Sequence, residues 1–179
     1  MEFNELVELR RSVRAFEDGV NISQDEIEEM IECALQAPTW KNSETGRYYV
    51  ANTKETVERV RMEALPEFNR NSTAGVSTYI VTTFEANRSG FERDGSANNE
   101  LGNEWGAYDL GLQNQLMILK ARELGYDTLI MGIRDEAALR NIFDIPSSQH
   151  VVAVIAVGKR AAEVSKPPRK EIEKVASFK

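Results

Sequence analysis

Two groups of residues in this chain combine types and spacings suited to chemistry. Arg10, Arg11 and Arg14 surround Ser12 in RRSVRAF near the amino terminus, and Lys159, Arg160, Lys166, Arg169 and Lys170 recur in KRAAEVSKPPRK near the carboxyl end. Planar guanidinium forks hold phosphate oxygens in pairs and a serine hydroxyl adds a further donor, so two such clusters meeting over one anion would suit a phosphomonoester. On spacing alone, a pair of solvated basic faces accounts for the same residues equally well. The second group is APTWKNSE, Ala37 to Glu44, which places the hydroxyl of Thr39, the amino group of Lys41 and the amide of Asn42 on a loop after a helix, with Trp40 among them. These donors and acceptors suit a polar heterocycle, although the segment also fits an ordinary turn.

The rest of the composition narrows the chemistry. Of 179 residues, 29 are acidic and 22 basic, a formal net charge of −7. The average surface therefore repels nucleic acid and anionic lipid unless positive charge is locally concentrated, and neither is expected as a partner. Cys33 is the only cysteine, which excludes an intrachain disulfide, and its apolar-periodic surroundings predict a buried thiol. His150 is the only histidine, so a zinc site of ordinary His/Cys composition is not expected and no metal is predicted. A Ser-His-Asp triad would have to use His150, which directly precedes VVAVIAV and reads instead as a strand entrance. The amino-terminal MEFNELVELRR lacks a long apolar run and no stretch reaches the ~18 apolar residues of a spanning helix, so a cytoplasmic protein is expected.

The elements that must carry these groups are legible from periodicity. Phe3, Leu6, Val7 and Leu9 suggest a short amphipathic helix that delivers RRSVRAF at its end. Ser23 followed by Glu26 reads as a capping box opening a second helix, with Ile27, Met30, Ile31, Ala34 and Leu35 on one face and Pro38 limiting it. RYYVAN at 47–52 and STYIVTTF at 77–84 read as strands, with a helical stretch between them capped by Thr53 and carrying Val57, Val60 and Leu65. Residues 85–103 turn polar and Gly/Asn-rich, which suits a mobile surface excursion able to act as a lid. From Trp105 to Leu124 apolar residues occupy most of the helical circumference, as in a long central helix stopped by Gly125. DTLIMGI and VVAVIAVG complete the strands, with a short helix capped by Asp135 between them. Helices interleaved with few strands and a wrap-around tail predict a single three-layer α+β domain over 1–179.

The order of the pieces resembles one family. RRSVRAF, then APTWKNSE, then YDLGLQNQLMILKARELGYDTLIMG, then PPRKEIEKV are similar to the succession in FMN-dependent nitroreductases, over nearly the entire chain. The resemblance implies an α/β/α fold with a mostly antiparallel central sheet around a long buried helix. It implies a homodimer with two FMN sites at the subunit interface. Arg10 would pair with the FMN phosphate, Ser12 would donate to the phosphate or ribityl region, and Arg169 would close the phosphate from the tail. Arg11, Lys166, Lys170, Lys159 and Arg160 would be further phosphate partners. Arg14 falls where the family places a cation near flavin N1 and the C2 carbonyl. Pro38, Thr39, Lys41 and Asn42 match the loop that reaches the other subunit's flavin, and Met131 and Gly132 match the strand end whose backbone passes near N5. Glu44, Thr45 and Gly46 depart from the family, which commonly has glutamine and then an aromatic there.

The activity so implied is ping-pong NAD(P)H oxidation, with hydride passing through flavin N5 to nitroaromatic, quinone or related acceptors. No G-x-G-x-x-G follows a predicted strand, so NADH or NADPH would visit rather than stay bound. Three other readings fit the same residues: a flavin dehydrogenase or dehalogenating reductase on this fold, an FMN-binding protein without turnover, and a phosphate-binding module that uses no flavin.

Overall fold

The unbroken apolar run VVAVIAVG becomes the longest strand of the computed structural model, which describes residues 2–179. This strand, Gln149–Gly158, is the fourth in chain order, after β1 (Gly46–Ala51), β2 (Thr78–Glu85) and β3 (Asp127–Met131). The spatial order is β1-β2-β4-β3 with every adjacent pair antiparallel. β2 and β4 are therefore interior, which explains why both are buried almost continuously rather than alternately.

Helices cover both faces. On one, Ile80, Ile155 and Val157 pack against Ile27, Met30 and Ala34 of α2 (Gln24–Ala34) and against Met117, Ile118 and Ala121 of a long helix, Glu104–Glu123. On the other, Tyr79, Val81, Val154 and Ala156 meet Val60, Ala64 and Leu139. These last belong to a π-helical turn, Val60–Ala64, and to a helix, Glu136–Phe143. The result is the three-layer α/β/α arrangement. In chain order the helices are α1 (Phe3–Leu9), α2, α3 (Lys54–Arg59), α4 (Glu67–Ser72), α5 (Glu104–Glu123) and α6 (Glu136–Phe143). Gly106 lets α5 close onto β2, since a Cβ there would lie 2.3 Å from the Phe84 ring.

Local signals worked as written at three starts and one stop. Ser23 and Glu26 form the reciprocal capping box of α2, Thr53 accepts from Thr56 N–H to open α3, and Asp135 accepts from Ala138 N–H to open α6. Gly125 ends α5 with φ +89°.

Four expectations are corrected. The helical stretch through Val57, Val60 and Leu65 is broken: α3 gives way to the π-turn, Leu65 is extended, and α4 starts after Pro66. Proline has no N–H to donate and pushes its predecessor out of the helical region. Leu35 is 54% exposed because α2 ends at Ala34 and Leu35 serves as its C-cap. Cys33 is only half-buried, with its Sγ 3.8 Å from the Leu116 carbonyl. Of the apolar residues of α1 only Leu6 is buried, leaving Phe3, Val7 and Leu9 on the surface.

Glu85 closes β2, and residues 86–103 form turns and bends with one isolated bridge, Phe91 to Ala97. His150 is the exposed second residue of β4, 5.1 Å from the Phe84 ring. No helix among the described residues is long and apolar enough to cross a membrane.

Candidate functional site

The two ends of the chain meet along the outer edge of β3. Beyond α1, Val13 N–H donates to the Thr128 carbonyl at 3.1 Å, and Ser12 bridges Thr128 in parallel register. The same segment then pairs with the start of the tail: Glu17 N–H donates to the Lys159 carbonyl and Ala161 N–H to the Ala15 carbonyl, both at 2.9 Å. Backbone pairing thus draws the carboxyl-terminal cations toward RRSVRAF.

A cavity of about 250 Å³ opens where they converge, with Arg10, Arg11, Lys166 and Arg169 on its wall beside Gln115 and a single carboxylate, Glu8. Lys166 takes that carboxylate; its hydrogen bond and charge hold Glu8 below the usual carboxyl range. Arg11 and Arg169 feel the same carboxylate only through its charge, and none of the three arginines has an ion pair among the described residues. Arg10 is pushed below its ordinary pKa, first by burial and then by the neighbouring charges of Arg169 and Arg11. Arg11 donates from Nη1 to the Arg10 carbonyl at 2.6 Å, while its Nε is buried with no partner among the described residues. Like charges gathered in a partly desolvated place cost free energy that a polyoxygen anion would recover. Ser12 is exposed on the adjoining backbone, and Lys170 is exposed and off the cavity wall.

Lys159 and Arg160 do not join this group. The Arg160 guanidinium grips Asp127 through Nε to Oδ2 at 2.8 Å and Nη2 to Oδ1 at 2.5 Å, and also donates to the Leu9 carbonyl at 3.2 Å. Asp127 is 3% exposed and also pairs with Arg122 at 3.2 Å. Its carboxylate raises the Arg160 pKa, chiefly by the hydrogen bond. Lys159 instead places Nζ 5.8 Å from the centre of the Tyr126 ring. Both residues hold the tail to the body.

A second cavity of about 250 Å³ lies at the end of β3 and brings Arg14 together with Met131 and Gly132. A Cβ built on Gly132 would meet nothing within 4 Å, so its small size serves no contact within this subunit. Ile130 and Ile133 on either side are 48% and 65% exposed, and Asn69 secures the chain beyond by donating to the Ile133 carbonyl at 3.1 Å. A bare backbone edge with flanking apolar side chains and one guanidinium fits a flat, partly polar ring system.

Pro38, Thr39, Lys41 and Asn42 line neither cavity. Their loop, with a 3₁₀ turn at Trp40–Asn42, carries positive φ at Lys41, Asn42 and Glu44. Three such residues in four need external support. Asp109 of α5, 3% exposed, supplies much of it: one carboxylate oxygen accepts from Trp40 N–H at 2.9 Å and from the Ser89 hydroxyl at 2.6 Å. Ser89 also bonds Ser43 at 2.7 Å. Thr39 Oγ1 accepts from Glu44 N–H at 3.1 Å, and the Asn42 amide donates to Glu44 Oε1 at 3.1 Å. Lys41 pairs with Glu92 of the excursion at 2.9 Å. Asp109 and Ser89 were not singled out from the sequence. The available signal for Asp109 was a lone carboxylate on the buried circumference of α5; Ser89 in a polar loop had none.

The sequence profile described as the nitroreductase family matches residues 7–159. YdgI of Bacillus subtilis (strain 168), a candidate NAD(P)H nitroreductase, is 27% identical across 99% of this chain and 98% of its own length. Among solved structures, a candidate nitroreductase from Exiguobacterium sibiricum 255-15 in complex with FMN is similar with TM-score 0.86 and 22% identity, covering 100% of this chain and 98% of that one. A candidate NAD(P)H:FMN oxidoreductase from Staphylococcus epidermidis ATCC 12228 has TM-score 0.85 and 23% identity over 99% and 95% of the two chains. At these identities the structural likenesses establish the fold.

Proposed function

The chain belongs to the nitroreductase family, and from that premise we propose that it is an FMN-dependent NAD(P)H oxidoreductase working as a homodimer. The observation that carries this reading is the convergence of Arg10, Arg11 and Arg169 in one cavity whose only carboxylate is already taken by Lys166. The chain ends bring together an excess of cations, and a phosphomonoester has the matching charge and oxygens.

When bound, FMN supplies a ring nitrogen, N5, that takes hydride from a reduced nicotinamide and returns it to an oxidant. The protein binds and tunes. Arg10, Arg11 and Arg169 hold the phosphate, Lys166 adds charge from beside Glu8, and Ser12 donates from the adjoining backbone. Arg14 sets a fixed cation where negative charge gathers on reduction, which raises the reduction potential. The Met131–Gly132 backbone makes the close approach that a side chain would block. Pro38, Thr39, Lys41 and Asn42 serve the partner's site, which accounts for their absence from the walls of the Arg10 and Gly132 cavities. The Thr39 hydroxyl still has its proton to donate while accepting from Glu44 N–H. NADH or NADPH visits, leaves, and is followed by a nitroaromatic, quinone or related acceptor.

The test is an absorbance spectrum after incubation with FMN and gel filtration, followed by anaerobic addition of NADH or NADPH. Yellow protein that bleaches is the expected result. Protein that retains no flavin overturns the cofactor assignment, and retained flavin that stays oxidised with both donors overturns the NAD(P)H activity.

A further inference from the structure

The largest cavity described, about 580 Å³, is formed by the 40–43 loop and the 87–95 part of the excursion. Its size falls within the roughly 300–1,000 Å³ of small-molecule sites. Trp40 and Phe91 give it an aromatic wall, and Lys41, Arg88, Arg93 and Glu92 give it charge. Lys41 and Glu92 neutralise each other at 2.9 Å, and Asn98 also donates to Glu92. Asp94, the nearest further acid in sequence, is occupied by the hydroxyl and N–H of Ser96 at 2.6 and 2.9 Å. Arg88 and Arg93 make no ion pair with any carboxylate among the described residues. Two uncompensated guanidiniums beside aromatic surface are a local exception on a chain of net charge −7.

We propose that this cavity is an anion-reading subsite for the visiting substrate, in which Arg88 and Arg93 hold a carboxylate carried by an aromatic acceptor whose ring lies along Trp40 and Phe91. This rests on the flavoenzyme reading, because the same loop that walls the cavity is the one assigned to the partner's flavin edge. Guanidinium forks match a carboxylate in geometry and charge, and an aromatic wall tolerates many ring systems. The phosphates of the nicotinamide donor offer the same oxyanion chemistry, and the two sources separate experimentally.

The probes are 4-nitrobenzoate and its neutral counterpart 4-nitrobenzyl alcohol, titrated against FMN-loaded wild type and the Arg88→Ala/Arg93→Ala double variant. Binding is read by quenching of tryptophan fluorescence, since Trp40 lines the cavity, the Trp105 ring centre lies 4.7 Å from that of Trp40, and the chain has no other tryptophan. The double variant is expected to lose about tenfold or more in affinity for the benzoate and under about twofold for the alcohol, with Arg88→Lys in between. In parallel, the ratio of flavin reduction rates with NADPH and NADH is compared between the two proteins. A fall in that ratio with unchanged benzoate preference overturns the carboxylate assignment and gives the two arginines to the donor's phosphates. If neither preference moves, the subsite is overturned while the flavoenzyme reading stands. Wild type that retains no flavin overturns the flavoenzyme reading, and the quenching titration still decides whether the cavity binds the anion.

Discussion

At Asp127, Arg160 and Arg122 enclose one buried carboxylate, with guanidinium contacts of 2.5 to 3.2 Å. A few residues further along the same tail, Arg169 joins Arg10 and Arg11 around a cavity in which Lys166 has already taken the only acid. The two regions are built from the same residue types at neighbouring positions, yet one is electrically closed and the other open. Asp127 raises the Arg160 pKa, whereas burial and neighbouring cations lower that of Arg10. A closed cluster stabilises the fold; an open one makes the fold carry a cost that a ligand relieves. Arginines at the two chain ends are thus sorted by their partners rather than by their place in the chain.

The comparison breaks most sharply at Asp127. Asp127→Ala leaves two part-buried guanidiniums without their anion and is expected to cost about 3–5 kcal/mol in denaturant unfolding. A loss below about 1 kcal/mol would mean that the closed cluster is not structural. At the open cluster the expectation is reversed: Arg10→Ala leaves unfolding of the flavin-free protein nearly unchanged but weakens FMN binding about ten- to a hundredfold, as lost charge-assisted contacts of roughly 1.5–3 kcal/mol imply. Flavin titration by fluorescence checks it, and equal effects on stability and binding would erase the distinction between the regions. Arg14→Ala is expected to lower the flavin potential more than it weakens FMN binding, measured by redox-dye equilibration; the opposite ranking would move Arg14 into the phosphate group.

The smallest effect expected is at Glu8. Because its carboxyl is held below the usual 4.5, the pair with Lys166 persists through neutral pH and is lost only as pH falls through that depressed value. Glu8→Gln should therefore mimic acid at neutral pH: with Lys166 released and one negative charge gone, FMN binds slightly more tightly, by a few-fold at most given the solvent exposure of the pair. Weaker binding in that variant would show that Glu8 positions Lys166 rather than merely opposing the anion.

Much of the fold was legible because its signals are local. Ser23 with Glu26, Thr53 and Asp135 announce helix starts through bonds made within three residues, and VVAVIAVG reads as an interior strand without knowledge of its neighbours. The break at Leu65–Pro66 was also local, but the apolar spacing of Val57, Val60 and Leu65 masked it. The site was legible only as candidates. Nothing in KRAAEVSKPPRK separates Arg160 from Arg169, since Asp127 lies in another strand. Asp109 was hidden in a helix whose partners, Trp40 and Ser89, come from two distant loops.

By itself the sequence determined the interior strands, the helix caps, the net charge of −7, and a succession of motifs similar to one family. Those properties depend on residue type and on spacings of a few residues, which backbone geometry converts directly into structure. The tertiary structure decided which cations share a cavity, which acids are already occupied, and that residues 38, 39, 41 and 42 line neither the Arg10 cavity nor the Gly132 cavity. Charge–charge energies depend on separation and burial in space, and neither can be read from distance along the chain.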